Sequence, residues 1–258
     1  MQKDEGGGSS EGSPFARKVR RRFRLSPSDL EALGFLSRDL HRLPRGTVLA
    51  DRGLGPHPFL LHDGWAMRFG VLADGRRQIL GFALPGDIVG VGAAVLGQAT
   101  EAVSAITPVT VSRFSLDTLE ATLRDSPALR QAILWSLAQD YSLLCDRLVG
   151  LGRRSAIERI ARTLIEVTAR LKAVQADVRA LPLSQPMLGD AAGLSAVHVN
   201  RTLKRLRSLR LVSRDSPRGL MIENASGLTK IAQVEQGDPL HALIEGLDVG
   251  DGNAAAPR

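Results

Sequence analysis

The stretch from Leu183 to Leu211, LSQPMLGDAAGLSAVHVNRTLKRLRSLRL, constrains this chain more than any other. It reads as two short helices joined by a tight turn, the second heavily basic. Ser184 suits an N-cap, and Pro186 falls in the first turn, where a missing N–H costs little. Leu188, Ala191 and Ala192 give the first helix an apolar face, and Gly189 is small where a second helix crosses closely. Gly193 supplies the turn, because glycine adopts positive φ at little cost. Ser195 then caps a helix whose apolar positions, Val199, Leu203 and Leu206, are spaced four and three apart. The opposite face carries His198, Asn200, Arg201, Lys204, Arg205 and Arg207. This is a helix-turn-helix pattern, in which the N-terminal side chains of the second helix reach base edges in the DNA major groove. Any two amphipathic helices around a glycine share part of it, so the following segment carries weight. Leu211 to Asn224 forms two strand-like runs around Ser216-Pro217-Arg218-Gly219. A hairpin straight after such a helix is a wing.

Charge agrees with this reading. A formal net charge of +7 favours polyanionic partners. A single cysteine, Cys145, excludes an intrachain disulfide framework and a CxxC metal or iron–sulfur site. It lies beside Leu144 and reads as a small apolar residue at a packed surface. His57, His62 and Asp63 lie near one another without a paired-ligand motif, so no metal is expected. No GxSxG, HExxH, P-loop or GxGxxG motif is present, and no enzyme is expected. No stretch approaches the length of a membrane span and no apolar signal segment follows the start, which points to the cytoplasm.

The 258 residues suffice for two modest domains. Residues 1–24 begin Gly/Ser-rich and end in a cluster of six cations, Arg17 to Arg24, and are read as a disordered basic tail. From Leu25 to Asp125, short strands punctuated by Gly, Pro and Asp suggest a small jelly-roll β-barrel. Within it, GWAMRFGVL and RRQILGFAL flank Ala73-Asp74-Gly75, a hairpin signal. Trp65, Phe69 and Phe82 are expected to fill the barrel core. Residues 126–152 form one long helix, opened by Ser126 and Pro127. Along it Leu134, Leu137, Tyr141, Leu144, Leu148 and Leu151 alternate at spacings of three and four, a heptad seam suited to a parallel homodimer. Ser155 and Glu158 form a capping-box pair that opens a supporting helix. It belongs to a winged helix-turn-helix domain over 153–235, followed by a flexible tail over 236–258. The fold class is α+β.

That order of barrel, dimer helix and winged helix resembles the Crp/Fnr family of bacterial transcription regulators. The resemblance covers about Leu25 to Val234, and its most specific stretches are GWAMRFGVLADGRRQILGFALPGDIVG and LGDAAGLSAVHVNRTLKRLR. It implies a cyclic-nucleotide-binding-type barrel, a homodimer, a palindromic operator and contact with RNA polymerase. Two departures stand out. Responders to cAMP carry a Gly-Glu-Leu turn and an Arg-Ser pair on the cyclic phosphate; here the turn reads Gly86-Asp87-Ile88 and the pair Ala99 and Thr100. Without the arginine, its charge-assisted phosphate contact is lost, so cAMP is not the expected effector. Gly86, Asp87, Arg76 and Arg77 are weak candidates for some other ligand. The oxygen sensors' N-terminal cysteine cluster is missing too.

The second departure is in the reading head. Many members place Glu four residues before Arg on the reading helix; here Val197 precedes Arg201. Valine accepts no hydrogen bond but contacts a thymine methyl, whereas Arg201 matches guanine and Asn200 matches adenine. The expected DNA-binding set is Ser195, Val197, His198, Asn200, Arg201, Lys204 and Arg205. The rival reading is an RNA-binding or purely dimeric module with a basic surface.

Overall fold

A computed structural model describes residues 12–51, 57–99, 101–176, 180–215 and 219–245 of this chain, with the side chains of 214 and 215 left aside. Two helices come first, α1 (Pro14–Arg20) and α2 (Pro27–Phe35). The barrel strands are β1 (Leu40–Leu43), β2 (Val48–Ala50), β3 (Phe59–Asp63), β4 (Ala66–Val71), β5 (Arg77–Ala83) and β6 (Ile88–Val89). After α3 (Val91–Leu96), β7 (Ala102–Ala105) and β8 (Val109–Arg113) complete it. Two antiparallel four-stranded sheets result, in the orders β1-β8-β3-β6 and β2-β7-β4-β5. Their inner faces bury Leu49, Phe59, Leu61, Val103, Val109 and Val111, so alternate residues of β8 face inward as the pleat requires. The predicted β4–β5 hairpin forms, with Gly75 at φ +83° in its turn.

Four helices then link the barrel to the reading head. α4 (Leu116–Arg124) and α5 (Pro127–Arg153) follow, and then α6 (Ala156–Ala173) and α7 (Gln185–Ala192). The reading helix α8 (Ala196–Ser208) leads into strands β9 (Val212–Asp215) and β10 (Gly219–Ile222), then α9 (Ala225–Ile231) and α10 (Pro239–Ile244). The 27 residues of α5 extend over roughly 40 Å at 1.5 Å per residue. Ser126 caps α5, accepting from the Leu129 N–H at 3.0 Å, with Pro127 in the first turn.

Three expectations need correction. The cationic run is not a disordered tail as far as it is described: residues 14–20 are helical. Phe15, Ala16 and Val19 are buried against Leu30, Leu33, Leu60 and Leu129. The apolar positions three and four apart within the cation cluster give α1 one burying face. The flexible C-terminal stretch likewise contains α10. Asp238 caps it, accepting from the Leu240 N–H at 2.8 Å, and Leu240 is buried. Residues 1–11 and 246–258 lie outside the described residues.

The third correction concerns Trp65 and Phe82. They do not belong to the cluster inside the barrel. They pack in a second cluster, together with Ile79 and Leu84, against Ile160, Leu164 and Leu171 of α6, with Phe69 partly buried at its edge. That cluster continues into Leu188, Val199, Leu203 and Leu206 of the reading head. Barrel and DNA-binding domain therefore share one continuous apolar core.

Candidate nucleic-acid interface

The helix-turn-helix forms as its sequence dictates. Ser184 caps α7 by accepting from the Met187 N–H at 3.4 Å. Gly193 ends it in the left-handed region at φ +62°. A Cβ on Gly189 would fall 2.9 Å from the Leu194 carbonyl oxygen, so only glycine permits this close approach at the turn. Ser195 caps α8: its hydroxyl accepts from the His198 N–H at 3.4 Å and lies 2.9 Å from the His198 ring Nδ1. Val199, Leu203 and Leu206 are each no more than 1% exposed. That burial fixes the opposite face outward.

All seven expected contact residues lie there. Ser195, Val197, His198, Asn200, Arg201, Lys204 and Arg205 are exposed, Val197 to 77%. Among the described residues, Arg201, Lys204 and Arg205 form no ion pair, so their charges stay available to phosphate or base edges. β9 and β10 form the wing, with Val212 opposite Ile222. The turn residues Ser216, Pro217 and Arg218 lie outside the described residues.

Five of the six seam residues of α5 are exposed. Leu134 is 66% exposed, Tyr141 and Leu148 are 70% exposed, and Leu144 and Leu151 are partly covered. Leu137 is half-buried toward the barrel. Cys145 is exposed beside this row rather than packed, and its neighbouring thiol pushes the pKa of the Tyr141 phenol up.

Next to the seam, between α5 and the barrel, lies a cavity of about 510 Å³. Gly90, Val91 and Gly92 line it, together with Ala99, Arg68 and Arg147. Ala99 thus occupies the wall where a phosphate-gripping arginine was expected, while Thr100 lies outside the described residues. Arg68 is held there by Glu101 at 2.8 Å and Asp140 at 3.1 Å. Burial opposes its charge, but these carboxylates hold it protonated. Arg147 donates to the Leu80 carbonyl at 2.9 Å and pairs with Glu166. Each cation of this cavity already has an anionic partner.

The weak ligand candidates are engaged elsewhere. Gly86 and Asp87 do not line this cavity; of the proposed turn only Ile88 does. Asp87 is buried between Lys18 of α1, at 3.0 Å, and Arg170 of α6, and accepts from the Leu84 N–H at 2.7 Å. Burial pushes its carboxyl pKa up, yet Arg170 and Lys18 outweigh burial and hold it below the usual range. Arg76 pairs with Asp74 of its own turn at 2.7 Å. Arg77 reaches Asp190 of α7 at 2.9 Å, and the Gln78 amide donates to the Asp190 carbonyl at 2.7 Å. Neither arginine is an open effector site: Arg77 and Gln78 clasp the end of α7 and tie the barrel hairpin to the reading head. Sequence reasoning missed that tie because the partners are over a hundred residues apart. No group of three or more His, Cys, Asp or Glu side chains able to hold a metal occurs among the described residues, and none of the helices is long and apolar enough to cross a membrane.

A barrel carrying a long helix with an exposed apolar row, followed by a winged helix-turn-helix with a cationic outer face, defines a DNA-binding regulator with a sensor-type domain. A Crp-like helix-turn-helix domain matches residues 158–231, and a cyclic nucleotide-binding domain matches residues 40–126. The nitrogen fixation regulation protein FixK of Bradyrhizobium diazoefficiens is 32% identical over 184 residues, 70% of this chain and 77% of the relative. The transcriptional activatory protein AadR of Rhodopseudomonas palustris is 30% identical over 191 residues, 73% of this chain and 79% of the relative. A solved structure of FixK2 from Bradyrhizobium japonicum superposes with a TM-score of 0.66 at 26% identity, covering 76% of this chain and 98% of that one. The chain belongs to the Crp/Fnr family of transcription regulators.

Proposed function

We propose that two copies of this chain pair along α5 and read an inverted-repeat operator with their α8 helices. The observation that carries this is the apolar row Leu134, Tyr141 and Leu148, two-thirds exposed on a helix about 40 Å long by its rise per residue. Such a row in water calls for a partner, and a second copy supplies the same row in register. Two-fold symmetry then sets two reading heads about one DNA turn apart, roughly 34 Å. Arg201 reads guanine, Asn200 and Val197 meet neighbouring base edges, and Ser195, Lys204 and Arg205 hold phosphate. The regulator works in the cytoplasm, contacts RNA polymerase and catalyses no reaction. Its effector is not cAMP, because Ala99 replaces the phosphate-gripping arginine and the cavity cations are already paired.

The rival reading, an RNA-binding module, is separated by a gel shift. The full chain is titrated into promoter-length duplex DNA and into structured RNA of equal length. The proposal expects tighter binding to DNA and loss of discrimination in Arg201→Ala. Equal affinity for both nucleic acids, unchanged by Arg201→Ala, would favour the rival.

A further inference from the structure

α5 and α6 meet at a junction of two residues, Arg154 and Ser155, and the angle between the seam helix and the reading head is set there. Arg154 has an extended backbone, with φ −89° and ψ 150°, so the chain breaks from one helix axis to the next. A junction this short is a hinge, because two residues absorb any change of angle. The hydrogen bonds within each helix do not set that angle. Side chains that cross the junction do. The Arg147–Glu166 pair crosses it within α5 and α6. Arg162, two turns into α6, reaches back to α5 and also outward to the start of the C-terminal helix α10.

Arg162 is buried, with acceptors for all five of its N–H groups. Nε donates to Asp146 of α5 at 3.0 Å and Nη2 to the same carboxylate at 2.8 Å, a bidentate pair. Nη2 also donates to Asp238 at 2.6 Å. Nη1 donates to the Ala232 and Gln233 carbonyls, at 2.9 Å and 3.3 Å, where α9 ends. Asp238 is therefore used twice: it caps α10 through the Leu240 N–H and anchors that cap to Arg162. Asp146 likewise holds Arg154 of the junction itself, at 2.9 Å. Leu240 is buried, and α10 packs on both α5 and α6. Asp146 and Asp238 lie outside both matched family domains, which cover 40–126 and 158–231, so the family match does not by itself supply this arrangement.

We propose that Arg162, Asp146 and Asp238 form a brace, with α10 as its outer strut, that fixes the angle between α5 and the reading head and thereby the half-site spacing a dimer accepts. Arg162 is a positioning residue. It is buried and acts through α6, whose Ile160 and Leu164 share a core with Val199 and Leu203 of α8. Spacing is sensitive to this angle, because successive base pairs lie only about 3.4 Å apart along the duplex. Freeing the hinge lets the two heads sample several separations, which flattens the discrimination between operators that differ by one or two base pairs. The spacing arm of this inference rests on the proposed pairing and operator reading; the bracing of the hinge does not.

The test uses the full chain and Asp238→Ser, which keeps an N-cap on α10 but is too short to reach Arg162. Arg162 keeps Asp146, so no buried charge is stranded and the variant folds; circular dichroism verifies it. Both proteins are titrated into duplexes carrying the same two half-sites, with the spacer at its best length and longer or shorter by one and two base pairs. The parent should prefer one spacing, and Asp238→Ser should cut that preference at least about threefold, because one charge-assisted pair of the brace is gone. Asp238→Asn, which keeps an acceptor within reach of Arg162, should recover part of it. Asp117→Ser, which removes an exposed carboxylate of α4, should leave it unchanged. Loss of folded protein lowers affinity for every spacer alike, so a merely structural role does not move the profile. Hydrogen exchange on the free chain reads the hinge without DNA. The Arg154 and Ser155 amides, bonded to the Gly150 carbonyl and the Glu158 carboxylate, should exchange faster in Asp238→Ser. Unchanged exchange at the junction, or a variant profile that superimposes on a selective parent, overturns the brace. A parent without spacing preference overturns the operator reading instead, and the exchange measurement then decides the brace alone.

Discussion

Replacing Leu144 and Leu148 together by Asp probes the seam on α5. In the single chain Leu148 is 70% exposed and Leu144 is 41% exposed. Full burial of a leucine is worth about 1.5–3 kcal/mol, so covering the exposed fractions contributes roughly 1.5–3 kcal/mol per chain. Two chains double that, to roughly 3–6 kcal/mol. Facing carboxylates add repulsion and desolvation on top, in a seam otherwise free of charge. A loss of about 3 kcal/mol is already more than a hundredfold in the dimer dissociation constant. Both positions face solvent in the single chain, so the fold itself should survive, and far-ultraviolet circular dichroism checks this. Sedimentation equilibrium over a range of concentrations measures the association constant directly. A double variant that still dimerises within threefold of the parent would refute the reasoning, and the interface would then lie on another surface.

Calorimetry with cAMP and cGMP at micromolar ligand should show no saturable heat; clear saturable heat would mean that Arg68 or Arg147 leaves its carboxylate partner for phosphate. Asp87→Asn leaves the buried Lys18 without a carboxylate and Arg170 with Glu166 alone, so it should lower stability by about 3 kcal/mol in urea unfolding, whereas Asp74→Asn on the exposed hairpin should cost under about 1 kcal/mol. His62 is half-buried with its Nε2 2.8 Å from the Ser112 hydroxyl, and burial lowers its pKa from the usual 6.5. The unfolded chain therefore binds this proton more readily than the folded one, so the contribution is fully present above about pH 6.5 and is lost as pH falls through the lowered value. Melting between pH 7.5 and 5.5 should show that loss, and His62→Gln should flatten it; an unchanged slope in the variant counts against it.

The reading head was legible because its signals are local. Ser184, Gly193 and Ser195 each act within three or four residues, and the periodicity of Val199, Leu203 and Leu206 needs no distant partner. The hairpin at Asp74-Gly75 and the seam from Leu134 to Leu151 are local in the same sense. What escaped depends on long-range pairing. Lys18 looks like one more cation in a basic run until Asp87, 69 residues away, is placed beside it. Phe15 and Val19 then have a surface to bury, and the run becomes helix α1. Arg77 reads from sequence as a weak ligand candidate because its partner Asp190 belongs to another domain. Trp65 and Phe82 pack on α6 rather than inside the barrel for the same reason. Strand alternation says that two faces differ, but not which face another helix will cover.

The claim that α8 reads sequence as one half of a symmetric pair is tested most directly by selection from a pool of random duplexes, with the full chain and its Arg201→Ala variant side by side. The account predicts an inverted repeat whose half-sites are centred about one helical turn apart, with a guanine at one symmetric position. In Arg201→Ala that guanine preference alone should vanish, at a cost of about 1–3 kcal/mol per half-site, while the spacing stays. An asymmetric motif, or a motif identical in the parent and the variant, would contradict it.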